Sequence, residues 1–302
     1  MTRPFSGSTT GRALRGFACV VTAVVTAVVI AGCASVLEGA GSGGGATDQP
    51  GSTTYDHASG PQDVLVSVKS DGGYSPVEFN LRNTAEFTLL GDGTAVVLGP
   101  VIELYPGPAI NPLQSSPLAE QQIQDLYAAA DQAGLLDEEI DFGEPGVTDM
   151  PSTTVSITVG DRTVRQSAYA LGFSDDPATG LSDSEIAARE ALQGFIDTAH
   201  AMVDDQPEPY VTSAIAVFRL NPAETTADPE LAQEPLVWPI ATAPPPSSDP
   251  ARACAVVTGG EAAQLLEALQ AANELTPWLV GSDPPAYFAF RPLLPDDPGC
   301  EQ

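Results

Sequence analysis

Residues 86–99 read EFTLLGDGTAVVLG, two apolar runs on either side of Asp92-Gly93. Asp-Gly is the dipeptide that accepts the positive φ angles of a tight hairpin turn, so the stretch is expected to fold as two antiparallel strands. Upstream, VLVSV from Val64 alternates like another strand. Downstream, STTVSITVGDRTVRQSAYALG sets Val155, Ile157 and Val159 on one face before a turn at Gly160-Asp161. Hairpins of this kind leave one apolar sheet face that something must cover. Two helical stretches supply the cover. In the first, Ile123, Leu126, Tyr127 and Ala130 share a face, with Ser116 expected as N-cap, Pro117 at the first helical position and Gly134 as the stop. In the second, Ser182 and Glu185 form a capping box ahead of an apolar stripe of Leu192, Phe195, Ile196, Ala199 and Val203. The order strands, helix, strands, helix predicts an α+β fold, an antiparallel sheet with helices packed on one face.

After DDQPEPY the strand pattern restarts in VTSAIAVFRL, and a proline-rich passage from Pro235 to Pro250 follows. ACAVVT then reads as a strand. Thr258 and Glu261 offer a second capping box, Leu265, Leu266, Leu269 and Ala272 an apolar helix face, Pro277 a stop, and AYFAFRPLL a final strand. These make a C-terminal β-α-β unit. The expected organisation is a leader over residues 1–32, a Gly/Ser-rich tether over 33–62, an α+β domain over 63–206, and a smaller α+β domain or an extension of the same one over 207–302. EQQIQDLYAAADQAGLL and EAAQLLEALQAANELTPW echo each other faintly, as two amphipathic helices do.

The leader has the order of a signal peptide: Arg3, Arg12 and Arg15, then the apolar GFACVVTAVVTAVVIAG. Its arginines are not adjacent, so general secretion is the default route. Ile30-Ala31-Gly32-Cys33 resembles the bacterial lipobox, and by that resemblance Cys33 becomes the first residue of the mature chain and carries diacylglycerol. The rival reading is a membrane helix, because the uncharged run from Gly16 to Leu37 is long enough to cross a bilayer of about 30 Å. Small residues just before a cysteine and a glycine-rich segment just after it favour the lipid anchor, as does the use found for the other thiols. Of four cysteines, Cys19 leaves with the leader and Cys33 takes the lipid, so Cys254 and Cys300 remain as an even pair. In an exported protein that pair is expected to form a disulfide, and its spacing fits neither CxxC nor a zinc pattern.

Charge narrows the partners. The 302 residues hold 40 Asp and Glu against 11 Lys and Arg, a formal −29. Removing the three leader arginines leaves 8 against 40, near −32. Such a surface repels phosphate backbones, which are bound through Lys and Arg, so nucleic acid is not an expected partner. Anionic headgroups are repelled for the same reason, which leaves the lipid on Cys33 as the means of membrane attachment.

Catalytic groupings are scarce. A Ser-His-Asp site needs a histidine within reach of its nucleophile, and His200 is the one histidine outside the tether, beside the apolar helix stripe. It reads as a boundary residue with a satisfied ring sooner than as a base. The acidic stretch DEEIDFGEPGVTD sets Asp137, Glu139 and Asp141 at the first, third and fifth places of a calcium loop. Phe142, however, stands where glycine is required, and Thr148 where the bidentate glutamate belongs. It reads as a solvated acidic loop. No Walker A motif or dinucleotide fingerprint occurs, so no cofactor is expected. The irregular IELYPGPAINP, with Tyr105 among prolines, offers either a recognition surface or a coil that packs the core.

EFTLLGDGTAVVLGP, VTDMPSTTVSITV, YALG before LSDSE, LTPW and the closing RPLLPDDPGC together resemble a group of secreted lipoproteins of actinobacteria with no assigned activity. The resemblance covers most of the mature chain. It implies an exported envelope protein and carries over no catalytic residue. The favoured expectation is a lipid-anchored, non-enzymatic binding module with an envelope protein partner. The alternative is an envelope hydrolase that uses carboxylates or His200.

Overall fold

In a computed structural model the described residues are 53–101, 103–137, 140–173, 180–221, 229–246 and 254–301. Cys33 and the leader lie outside them. The Asp92-Gly93 turn joins β2 (Phe87–Leu90) to β3 (Thr94–Leu98), with Phe87 opposite Val97 and Leu89 opposite Ala95. Gly93 has φ 86, and a Cβ built on it would lie 2.6 Å from the Leu118 carbonyl oxygen, so the turn needs glycine twice over. β1 (Val64–Gly72) pairs with β2 on one side and with β5 (Pro151–Val159) on the other. β5 turns at Gly160 into β6 (Arg162–Tyr169). With β4 (Leu113–Pro117) and the short β7 (Glu208–Pro209), a seven-stranded antiparallel sheet runs β6-β5-β1-β2-β3-β4-β7.

Val66, Val68, Phe87, Leu89, Ala95, Val97, Val155 and Ile157 put one apolar face on this sheet. Two helices cover that face: α2 (Glu120–Gln132) with Ile123, Leu126, Tyr127 and Ala130, and α3 (Asp183–Ala201) with Leu192, Phe195, Ile196 and Ala199. α3 opens with the expected capping box, Ser182 Oγ accepting from the Glu185 amide while Glu185 accepts from the Ser182 amide. α2 does not open as expected. Ser116 and Pro117 belong to β4, opposite Ala95 and Thr94, and the helix N-cap is Ala119, whose amide donates to Gln122 Oε1. A Ser-Pro pair suits a helix start, but here Ser116 is buried between strands and its hydroxyl accepts from the Asp204 amide.

The other face of the sheet is divided. On β5 and β6 it is polar, with Thr154 donating to Ser167 and Thr158 bonded to Thr163. On β2, β3 and β4, Leu90, Val96 and Leu113 pack against Leu294 from the C-terminal part of the chain. That part holds a three-stranded antiparallel sheet in the order β10-β8-β12, from β8 (Ala214–Arg219), β10 (Cys254–Thr258) and β12 (Phe288–Pro292). The expected β-α-β unit is therefore completed by β8, which separates its two strands. β8 is buried on both sides. Ile215 and Val217 face α4 (Gly259–Leu269), while Ala216 and Phe218 meet Leu81 of the short helix α1 (Val77–Arg82). A two-stranded parallel ribbon, β9 (Leu236–Val237) with β11 (Trp278–Leu279), closes the far edge beside Trp238, Phe288 and Phe290.

The disulfide is present: Cys254 at the start of β10 joins Cys300, Cα atoms 5.6 Å apart, across 46 positions. Two other local expectations change. Thr258 is the N-cap of α4 but makes no side-chain cap bond, and the Glu261 carboxylate, expected to close the box, instead accepts from the amide and hydroxyl of Thr242. The helix ends at Leu269, well before Pro277, where Asn273 turns the chain by accepting from the Leu275 amide.

Residues 207–302 adjoin the first part of the chain through several elements. β7 pairs with β4, Leu294 packs on Leu90, and Arg82 bonds Glu274. The stretch 53–62, expected as the end of a tether, lies against the fold. The Tyr55 ring sits 5.6 Å from that of Tyr127, its amide donates to Gln124, and the Gly160 amide donates to the Asp56 carbonyl. Among the described residues no helix is long and apolar enough to cross a membrane.

Candidate functional site

The sequence-singled residues fall apart in space. His200 Nδ1 donates to the Ile196 carbonyl at 3.0 Å and its ring meets Phe87 edge-on at 5.7 Å. Among the described residues that ring makes no hydrogen bond to a serine, threonine or carboxylate, so no base-nucleophile pair is assembled on it. His57 lies against α2, Nε2 at 3.2 Å from both Glu120 oxygens and Nδ1 at 2.7 Å from the Ala58 carbonyl.

The acidic loop is shaped by its apolar residue. Phe142 is buried in the main core, which turns Asp141 back on its own backbone to accept from the Gly143 amide at 2.9 Å. Thr148 donates to Asp149, and Glu139 lies outside the described residues. Arg189, fully buried on α3, holds the Phe142 carbonyl with one arm and those of Tyr169 and Ala170 with the other. Gln166 holds the Leu135 carbonyl and Tyr169 that of Val147. This loop is tied down by side chains from behind. Among the described residues no group of three or more His, Cys, Asp or Glu is gathered for a metal.

The concave features lie around the loop that joins β3 to β4, residues 99–112. Its two halves are placed differently. Ala109 is buried in the core under α4, with Ile110 packed beside it. The tip is turned outward: Leu104 is 69% and Tyr105 63% exposed, and Val101 also faces solvent. The loop stands as a ridge because its base is fastened. The Gly99 amide donates to the Pro112 carbonyl at 2.8 Å, the Glu274 amide donates to the Gly107 carbonyl at 3.0 Å, and Pro108 bridges Asn273. Asn111 Nδ2 donates to the Arg82 carbonyl at 3.2 Å.

A cleft lies on each side of this ridge. The first, about 720 Å³, has apolar walls of Phe79, Leu98, Val101, Tyr105, Leu220 and Leu275. Phe79 is 62% exposed at its rim. The second, about 700 Å³, lies between the ridge and α4 and is walled by Val101, Ile110, Tyr210, Leu266 and several prolines. Val101, Gly107, Pro108, Asn111 and Pro112 line both.

Polar chemistry in the first cleft centres on Arg82 and Glu274. Arg82 is 8% exposed, its Nη1 donates to Glu274 Oε2 at 2.7 Å and its Nη2 to the Glu274 carbonyl at 3.2 Å, while Nε has no partner. Glu274 Oε1 accepts from the Gly107 amide at 2.7 Å. Burial lowers the Arg82 pKa, and Glu274 and Glu78 oppose that shift. The Tyr105 hydroxyl is pushed up by partial burial and then by the charges of Glu274 and Glu78. Arg82 and Glu274 are committed to each other and to backbone, which leaves no free nucleophile between them. They fix a surface; the apolar residues around them offer the contact. Sequence reading missed this pair, because a lone arginine and a lone glutamate 192 positions apart carry no spacing signal. The exposed Phe79, on a helix of six residues, carried none either.

No protein-family model, curated protein or solved structure matches the chain.

Proposed function

We propose that this is a lipid-anchored protein on the extracytoplasmic face of the cell membrane, held by diacylglycerol on Cys33, and that its folded body is a non-enzymatic binding module. The observation that carries the binding role is the fastened ridge of residues 99–112. It holds Val101, Leu104 and Tyr105 outward, near the exposed Phe79 of α1 and Leu98 of β3, beside two clefts of the size that takes ligands. A soluble fold leaves such a group of large apolar side chains in water when something else covers it part of the time. The address is supported by the leader pattern, by the lipobox resemblance, by the resemblance to secreted actinobacterial lipoproteins, and by a disulfide of the sort that persists outside the cytoplasm.

Two experiments test the two halves. Mass spectrometry of the protein from its native membrane is expected to find an acylated Cys33 terminus, and an intact Met1 or an unmodified Cys33 would refute the anchor. Photo-crosslinking from position 105 in the native envelope is expected to trap a discrete partner. A Tyr105 probe that crosslinks no more than one placed at Thr163, on the polar sheet face, would refute the binding role.

A further inference from the structure

Resting on that binding reading, we infer that the ridge and its two clefts receive a segment of a partner protein that combines apolar side chains with lysine or arginine. The argument begins with charge. In the first cleft the cation Arg82 is already matched by Glu274, so Glu78 is left as a carboxylate with no ion pair among the described residues. The wall of the second cleft also carries a glutamate, Glu267. Each cleft therefore presents apolar walls with one surplus negative charge at the edge. The whole chain adds to this, at a formal −29. An acidic segment would meet repulsion at both edges and from the body behind them, whereas a basic one is drawn in from a distance.

Shape argues for a segment over a small molecule. The two clefts are of similar volume and share the ridge between them, with Val101 lining both. A small cation fills one side; an extended or helical segment crossing the ridge places an apolar side chain in each cleft and covers the exposed Leu104 and Tyr105. The exposed Tyr105 ring lines the first cleft together with Glu78 and offers a face to a passing lysine or arginine. A second copy of this chain fits poorly, since it would bring its own large negative charge to the same edges.

The test uses the mature protein in a nonionic detergent and three short labelled peptides, with binding to protein-free micelles subtracted. One peptide has a tryptophan and two leucines flanked by lysines, the second has the same apolar residues flanked by glutamates, and the third has lysines around serines. The lysine-flanked apolar peptide is expected to bind more tightly than either control. Phe79→Ser and Tyr105→Ala should each weaken it roughly ten-fold, a loss typical of apolar interface anchors. Glu78→Gln should weaken it about three-fold, the size expected of a surface charge pair, and should not weaken the glutamate peptide. Both aromatic positions are exposed, so an unchanged thermal melt serves as the folding control. If the glutamate-flanked peptide binds as well and is equally sensitive to Phe79→Ser, the cationic inference fails while the binding module stands. If the serine-lysine peptide binds as well as the apolar one, or no substitution matters, the attraction is diffuse charge and the ridge is not the binding surface. Sedimentation that shows a dimer broken by Phe79→Ser would make a second copy the occupant and overturn the inference.

Discussion

Arg82 and Glu274 meet at 2.7 Å across 192 positions of sequence, and the same glutamate holds the Gly107 amide. One buried ion pair thereby ties α1 to the segment after α4 and to the ridge between them. Glu274→Ala is expected to cost about 3 kcal/mol in urea unfolding, because it strands a buried guanidinium. Replacing both partners by methionine should cost clearly less than the two single changes added together. Strict additivity in that cycle would show that the pair does not act as a unit.

The strap over residues 53–62 should respond to pH through His57 and Glu120. Burial works against protonation of His57, but the Ala58 carbonyl, the Glu120 carboxylate and Asp56 outweigh it and raise its pKa. Glu120 is held below the ordinary carboxylate range by Gln124 first and then by His57. For His57 the stabilisation is full below about 6.5, the ordinary imidazole value, and is lost as pH rises through its raised pKa. For Glu120 it is full above about 4.3 and is lost as pH falls through its depressed pKa. The strap is thus held best in mild acid. Hydrogen-exchange protection of the Gly160 amide, which donates to Asp56, should fall as pH rises past neutrality. In His57→Ala that pH dependence should flatten, and an unchanged profile would exclude this histidine as its source.

Two hairpin glycines should differ in tolerance. Gly93 and Gly160 both have positive φ, but a Cβ on Gly160 meets open space while one on Gly93 runs into the Leu118 carbonyl. Gly160→Ala is expected to cost about 1 kcal/mol for the left-handed backbone alone. Gly93→Ala should cost about 2 kcal/mol or more, since the strand end and the α2 entry must shift as well. Equal melting temperatures for the two variants would contradict the contact.

Removing the disulfide should destabilise the C-terminal sheet most. In the chain-entropy model a loop of this length is worth roughly 4 kcal/mol when closed. Cys254→Ser with Cys300→Ser is expected to lower thermal stability by an amount of that order. In the unaltered folded protein neither thiol should react with an alkylating reagent before reductant is added. Labelling of both without reductant would show the bond to be absent.

Local signals were legible where a residue's neighbours in sequence are also its neighbours in space. Asp92-Gly93, Gly160-Asp161, the Ser182-Glu185 box and the apolar stripes of α2 and α3 are all of this kind, and each appears where its chemistry places it. Ser116-Pro117 misled because a helix start and a strand end accept the same pair, and pairing with Thr94 and Ala95 decided between them. Glu261 misled because Thr242, far away in the chain, supplied better donors than its own helix start. The candidate site was half legible. Prolines around Tyr105 marked an irregular loop, but whether its tip faced water depended on Arg82, Asn111 and Glu274 fastening its base, and distant pairings leave no trace in composition or period.

The C-terminal bond also determines how the fold carries load. Cys300 is covalently joined to β10, while residues 293–299 separate it from β12. A pull applied from beyond Cys300 is delivered through sulfur to Cys254 and leaves β12 slack. The strand that would otherwise peel first, one bond after another, is bypassed. Arg291 adds a second stop, gripping the Asp297 carboxylate and the Gly299 carbonyl just inside the bond. A mechanical tug from beyond Cys300 thus meets a cross-link before it meets the sheet.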